Sequence, residues 1–277
     1  AVRGVKITVG PPFFNKVNIP IGLFLLFLTG VGPLIAWRKA SRANLRRAFL
    51  VPILVSLATL PLFLLGGIRD PYALMTFVLS VFVTVTIVME FYKGVLARRK
   101  MVGEPWLVAL LHLVRRNKRR YGGYIVHFGV VLVFVGLAGA AFNVSKDASL
   151  QKGETIEIRD YTLTYQGLTE TEEPHYSAVI ADVELSKGGR KVATLHPEKR
   201  FYHRRPNEPT SEVAIHSTLR DDVYLVLAGW NEGKAIFKVY LNPLVQWLWI
   251  GGYILALGTV IAMFPDSRRV EATLRRS

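Results

Sequence analysis

The sequence predicts an integral membrane α-helical protein of about five transmembrane helices, with an extracytoplasmic antiparallel β domain inserted before the last helix. Three observations predict it. Five apolar runs are each long enough to cross a hydrocarbon core about 30 Å thick. Between the fourth and fifth runs lies a stretch of alternating apolar and polar residues punctuated by turn signals. The charge is also split. The chain carries +15 overall, yet residues 143–241 carry a net −2, which leaves +17 in the segments beside the apolar runs. At 51% hydrophobic residues and a mean hydropathy of +0.31, the 277-residue chain is too apolar for an ordinary soluble protein and too long for one membrane hairpin. A strongly basic chain invites a nucleic-acid reading, but cations confined to short loops beside spans mark membrane topology instead, so the bilayer is an expected partner and nucleic acid is not.

The spans follow in order. The first covers about 18–37 and contains Pro33, and the second covers about 48–66 and contains Pro52 and Pro61. Membrane helices tolerate such prolines because neighbours re-satisfy the freed backbone groups; Pro61 is expected to kink its helix. The third covers about 72–95, the fourth about 122–142 and the last about 243–264. A different helix is expected at about 105–118. Pro105 opens it, Trp106, Leu107, Leu110, Leu111 and Val114 give it an apolar stripe, and cations close it, which reads as an amphipathic helix in the membrane interface. The predicted domains are a membrane domain over 1–142, a β domain over 143–241, and the last span with a basic tail over 242–277.

In the β domain, TIEIRDYTLTYQG, YSAVIADVELSKGGRKVATLH, SEVAIHS, DDVYLVLAGW and KAIFKVYL are β-rich runs, and SKGGRK is a plausible hairpin turn. About six to eight short strands would build a sandwich or small barrel. The loops set orientation. Arg38, Lys39, Arg42, Arg46 and Arg47 fill the first loop, Arg98, Arg99, Lys100, Arg115, Arg116, Lys118, Arg119 and Arg120 the third, and Arg268, Arg269, Arg275 and Arg276 the tail. The second loop has only Arg69 against Asp70. The positive-inside rule then places the first loop, third loop and C-terminus in the cytoplasm, and the N-terminus, second loop and β domain on the opposite side.

The residue most suggestive of chemistry is His127, inside GGYIVHFGVVLVFVGLAGAAF (122–142). An ionisable side chain within a span is costly and functional by default, and a neutral imidazole is the commonest metal ligand. With the helix starting near Gly122, the imidazole sits roughly 7–8 Å in from the cytoplasmic face. Its helical neighbours are Gly123, Tyr124, Val130 and Val131, and Gly123 leaves room for a flat macrocycle. The bland reading is a histidine hydrogen-bonded to a neighbouring helix. A bis-histidine haem would need a second axial ligand from elsewhere, because His112, in the interfacial helix, is a poor candidate. Glu90 is the other intramembrane ionisable group; an i,i+3 pair with Lys93 explains it, and a proton relay is the sharper alternative. The stretch HPEKRFYHRRP (196–206) clusters cations, histidines and aromatics and reads as a charged inter-strand loop able to meet carboxylates. Trp247 and Trp249 form an aromatic belt, and Gly252 with Ala256, like Gly136 with Ala140, suggests small-residue helix packing. The absence of cysteine excludes thiolate metal sites, disulfides and cysteine nucleophiles within this chain. There is no phosphate loop, no HExxH and no credible Ser-His-Asp set.

Together, VGPPFFN, RRYGGYIVHFGVVLVFVG, HPEKRFYHRR, LRDDVYLVLAGW and NPLVQWLWIGG, in this order along nearly the whole chain, resemble the C-terminal half of the CcmF family. That family is the haem lyase subunit of the System I cytochrome c-type biogenesis pathway. The resemblance implies an inner-membrane, multi-pass enzyme with a periplasmic β domain. It implies that haem arrives from the chaperone CcmE and that thioether bonds form between haem vinyl groups and the CxxCH motif of apocytochrome c, presented with CcmH-type proteins. It further implies a membrane haem b held by two histidines, relaying electrons from quinol to the substrate haem. His127 stands where the GGYIVH motif places one axial ligand, with Gly123 and Tyr124 beside it as pocket residues. The family's tryptophan-rich WWD motif, its two flanking histidines and the second haem b ligand have no counterpart here, so the resemblance assigns no catalytic residue to this segment. The chain, which starts at Ala1 and shows no signal peptide, is expected to be a processed, split or truncated piece of a longer protein. Two other readings compete: a membrane transporter or accessory subunit using Glu90 and the proline-broken helices, and a scaffold without a cofactor.

Overall fold

A computed structural model describes residues 10–35, 42–205 and 207–265. Two compact units emerge, one from Ala1–Ala138 with Trp247–Ser277 and the other from Gly139–Gln246. Arg38, Lys39 and the tail arginines Arg268, Arg269, Arg275 and Arg276 lie outside the described residues.

The first unit is helical: α1 (Pro11–Leu34), α2 (Arg42–Leu65), α3 (Pro71–Val102), α4 (Trp106–Arg116), α5 (Lys118–Ala138) and α6 (Val245–Met263). All except α4 are long and apolar enough to cross a membrane. Their outward side chains confirm the solvent they are built for. Phe24, Leu62 and Tyr253 are 60%, 65% and 75% exposed, an apolar surface that only lipid or another apolar partner would cover without penalty. α2 passes unbroken through Pro52 and Pro61. α3 starts where the Asp70 carboxylate accepts the Ala73 amide at 2.8 Å and Pro71 pre-sets the first turn. It then runs seven residues past the expected end at Val95, because nothing breaks it until Gly103 caps it in the left-handed region. α5 starts at Lys118 rather than Gly122, so the last cations of the third loop are helical.

α1, α3, α4 and α5 enclose a core of Leu26, Phe82, Val83, Ile87, Ala109, Leu113, Tyr121, Tyr124 and Val131. α6 joins by another route. A Cβ on Gly122 would lie 2.7 Å from the Ala262 backbone nitrogen, one on Gly129 2.6 Å from that of Leu255, and one on Gly136 2.8 Å from that of Leu248. From the α6 side, Gly251 and Gly258 come equally close to Val133 and Val126. Glycines seven residues apart on both helices thus let two backbones touch, the membrane mode of packing in which close van der Waals contact replaces the hydrophobic effect. Of the pairs suggested by sequence spacing, only Gly136 lies in the seam. Gly252 meets nothing within 4 Å, and Ala256 and Ala140 are exposed. A four-residue repeat was the wrong period; seven keeps a stripe in line over three glycines.

Among the described residues, the second unit has ten strands in two antiparallel sheets. β1 (Val144–Leu150), β10 (Lys234–Pro243), β9 (Asp221–Asn231) and β8 (Ala214–Ser217) form one sheet in that order. β2 (Thr155–Ile158), β3 (Tyr161–Glu172), β4 (Tyr176–Lys187), β6 (Glu198–Tyr202) and β7 (Thr210–Glu212) form the other, with β5 (Arg190–Leu195) paired to β4. Alternate residues face inward: Tyr161, Leu163 and Tyr165 of β3, Ala181, Val183 and Leu185 of β4, and Ala235, Phe237, Val239 and Leu241 of β10. Tyr165 meets Phe237 edge-on at 5.4 Å between the sheets, so the unit is a sandwich and not a small barrel. The β4–β5 hairpin turns at Gly188 and Gly189, both at positive φ, between the paired Lys187 and Arg190. Two strands exceed the six to eight expected. β1, VSKDASL, has too few apolar residues to announce itself and is specified by its pairing with β10. β6 lies inside HPEKRFYHRR, whose residues 198–202 are strand and not loop. It pairs with β4 and β7, and Phe201 packs against the core.

Gly129→Val is expected to destabilise the membrane unit by about 1–3 kcal/mol, since backbone atoms cannot step aside, whereas Gly252→Ala should leave stability unchanged or slightly raised. Thermal unfolding of the purified protein in detergent measures both; equal midpoints would show that the α5–α6 seam is not close-packed.

Candidate functional site

α5 presents two opposed faces. The glycine stripe lies against α6, while Arg120, Tyr124 and His127 leave the side opposite it, as 3.6 residues per turn require, and the rings of Tyr121 and Tyr124 join the core. His127 is half-buried. Its Nδ1 is buried and has no hydrogen-bond partner among the described residues. Buried polar atoms nearly always find one, and an orphan calls for an explanation such as an absent ligand or partner. The bland alternative, a histidine bonded to a neighbouring helix, is not what the geometry gives. One turn earlier, a Cβ on Gly123 would meet nothing within 4 Å, so the chain beside the imidazole is bare. The earlier start of α5 adds four residues, about 6 Å, between His127 and the helix end.

Next to this face is a polar network that the sequence showed only in part. Glu90 on α3 is buried and takes Lys93 Nζ at 3.2 Å, the expected i,i+3 pair. It also takes Arg120 Nη2 from α5 at 2.6 Å. Arg120 Nε donates to the Tyr124 hydroxyl at 2.9 Å, and that hydroxyl lies 3.5 Å from Glu90. Phe91 closes over Tyr121 and Tyr124 at 5.0 and 6.1 Å. Tyr124, named beside His127 from its spacing, is therefore buried and committed to this network. Glu90 serves first as the acceptor for two cations, which makes it a clamp between α3 and α5. The signal that could have revealed it is helical: Arg120, Tyr124 and His127 are spaced at four and three residues, one face of one helix.

α4 is docked by a second carboxylate. Glu104 accepts both Nε and Nη2 of Arg98, at 2.7 and 2.8 Å, and faces His112 Nδ1 at 3.0 Å. His112 is thus engaged locally. Among the described residues, no group of three or more His, Cys, Asp or Glu side chains could hold a metal ion, so any metal bound at His127 would need ligands beyond it. In the sandwich, the polar side chains of HPEKRFYHRR are mostly paired with their neighbours. His196 meets Asp182 at 2.8 Å, His203 meets Glu172 at 3.0 Å, and Arg200 meets Glu198 at 2.8 Å while stacking over Tyr176.

Residues 141–243 match a family model described as the CcmF C-terminal beta-sandwich. The chain is similar to the C-terminal part of CcmF. Among curated proteins, the cytochrome c-type biogenesis protein CcmF of Haemophilus influenzae is 29% identical over 276 residues, covering 98% of this chain and 41% of that protein. The cytochrome c-type biogenesis protein ccl1 of Rhodobacter capsulatus is 29% identical over 275 residues, covering 98% and 40%. A solved structure named cytochrome c heme lyase CcmF aligns with a TM-score of 0.76 at 28% identity, covering 92% of this chain and 41% of that one. The likeness to CcmF therefore extends beyond the sandwich to the helices that carry His127. The chain spans about two fifths of the length of the curated CcmF relatives it matches.

Hydrogen bonds from Arg98 hold the Glu104 carboxyl below the usual glutamate range, against the opposing effect of burial and with help from His112. A depressed folded-state value means that the contribution to α4 docking is complete above the ordinary glutamate range and fades as pH falls through the lower value. Amide exchange across Trp106–Arg116, corrected for intrinsic rate, should therefore accelerate in acid, and Glu104→Gln should remove that dependence. A variant with the native acid response would contradict this.

Proposed function

We propose that this chain is the C-terminal part of a cytochrome c maturation haem lyase and that His127 supplies one axial ligand to a haem b within the membrane. The observation that carries the reading is the buried, unpartnered Nδ1 of His127 beside the bare Gly123 on a helix whose opposite face is locked to α6. The relatives, named as cytochrome c-type biogenesis proteins and a heme lyase, supply the chemistry that such a site would serve.

The residues fit the role. A neutral imidazole binds iron through one nitrogen while the rest of the ring is oriented by packing. The α5–α6 contact fixes the rotation of α5 and so the direction of the imidazole. Gly123 leaves space for a ring plane to approach, Tyr124 is held to one side by Arg120, and the apolar neighbours Val130 and Val131 exclude water. When bound, haem b would supply one-electron transfer to the haem being attached. The second axial ligand is proposed to come from polypeptide outside this chain, as are the residues that hold the substrate haem. Haem delivery by CcmE, presentation of apocytochrome c by CcmH-type proteins and quinol as donor complete the proposal. So does an inner-membrane orientation with the cation-rich segments cytoplasmic and the sandwich periplasmic, supported by the loop charges.

His127→Ala in the complete protein is expected to abolish the b-type bands in the reduced-minus-oxidised spectrum of isolated membranes and to cut holocytochrome c yield at least tenfold, given how sharply a missing metal ligand lowers affinity. A spectrum unchanged by that substitution would overturn the ligand assignment.

A further inference from the structure

Arg120 lies seven residues before His127. Seven residues are two turns less about 20°, so both side chains leave the same side of α5, about 10.5 Å apart along its axis. Tyr124 stands between them, and its hydroxyl fixes Arg120 Nε. Glu90 holds Nη2. The guanidinium carbon sits 5.7 Å from the ring centroids of both Tyr121 and Tyr124. The remaining terminal nitrogen, Nη1, makes no hydrogen bond among the described residues, and the Arg120 side chain is 56% exposed beside a Glu90 that is 11% exposed. Glu90 is shared with Lys93, so two cations face one carboxylate and one positive charge is left over. The result is a guanidinium held in plane by three partners, with donors to spare, on the His127 face. A planar fork with surplus charge is the side chain best matched to a carboxylate or phosphate.

We infer that Arg120 anchors an acid group of the ligand bound at His127, namely a haem propionate carboxylate. The inference rests on the reading of His127 as a haem ligand. A haem carries its iron at the centre and both carboxylates on one edge. A ring plane held at His127 with that edge toward the start of α5 brings a carboxylate to Arg120, where it balances the extra cation. The anionic headgroup of a phospholipid offers the same chemistry from a different source.

The test uses the complete protein, stripped of haem in detergent and titrated with haemin or with haemin dimethyl ester, in which both propionates are masked. Soret absorbance reads binding. The native protein should bind haemin roughly tenfold more tightly than the ester. Arg120→Gln should lower haemin to the level of the ester and leave the ester unchanged, so that ester binding doubles as the check on folding. Arg120→Lys should recover only part of the preference, since an ammonium lacks the fork. A native protein that does not distinguish the two ligands, or an Arg120→Gln variant that keeps the preference, overturns the anchor. So does a variant whose only change is loss of co-purifying anionic phospholipid, which would assign Arg120 to the bilayer. If His127→Ala loses both ligands while Arg120→Gln behaves as native, the anchor alone fails. If His127→Ala binds haemin normally, the reading beneath it fails.

Discussion

Where α5 meets α6, glycines bring the two backbones within touching distance, and that closeness governs the membrane unit. Gly122, Gly129 and Gly136 face Gly251 and Gly258, with separations that leave no room for a methyl group. In lipid, tails are as apolar as the helices they surround, so association depends on contact area and on how near two backbones can come. A seam of this kind has one solution. Rotating α5 by a single residue would swing the glycines off the seam and bring bulkier side chains such as Val130 and Leu137, or Phe128 and Val135, onto it. The positions of His127, Tyr124 and Arg120 all follow from the phase that the glycines fix.

The polar groups then obey a local rule. Two carboxylates near the helix ends serve more than one partner: Glu90 takes Lys93 and Arg120, and Glu104 takes Arg98 and faces His112. Sharing satisfies the acceptor fully and ties elements together, α3 to α5 in the first case and α3 to α4 in the second. It also leaves positive charge in excess at the ends of the spans, which suits an interface facing anionic headgroups or acid groups of a bound ligand. Gly94 supports the same junction, because any side chain there would collide with Leu113 of α4 and the hydroxyl of Tyr121.

What the sequence showed and hid follows from these forces. Span positions were legible because twenty apolar residues have few alternatives, and the β4–β5 hairpin because only a turn such as Gly188–Gly189 accepts two positive φ values in succession. The ends of α3 and α5 were misjudged because hydropathy stops at the first cations, whereas a helix continues until a cap such as Gly103 ends it. β1 and β6 were missed since their order comes from strands far along the chain. His127 stood out as a charge-capable residue in an apolar run. Its neighbour Arg120 did not, because a cation in a basic loop looks ordinary until the helix is seen to begin at Lys118. The Glu90–Arg120 contact joins residues thirty positions apart, a distance over which a single sequence carries no pairing signal.

The glycine seam has a consequence for the order of folding. Its two halves are separated in the chain by the entire sandwich, residues 139–244. α5 therefore emerges from synthesis with its glycine face uncovered and cannot close it until every strand has been made and α6 has entered the membrane. Until then the packing of Tyr121 and Tyr124 and the Glu90–Arg120 pair alone set the rotation of α5, and His127 lacks the contact on the opposite face. A truncated chain, or one stalled in the sandwich, would leave the histidine present but without that contact. Completion of the polypeptide is in this sense a condition for the site to be complete, and it is set by where the glycines fall in the sequence.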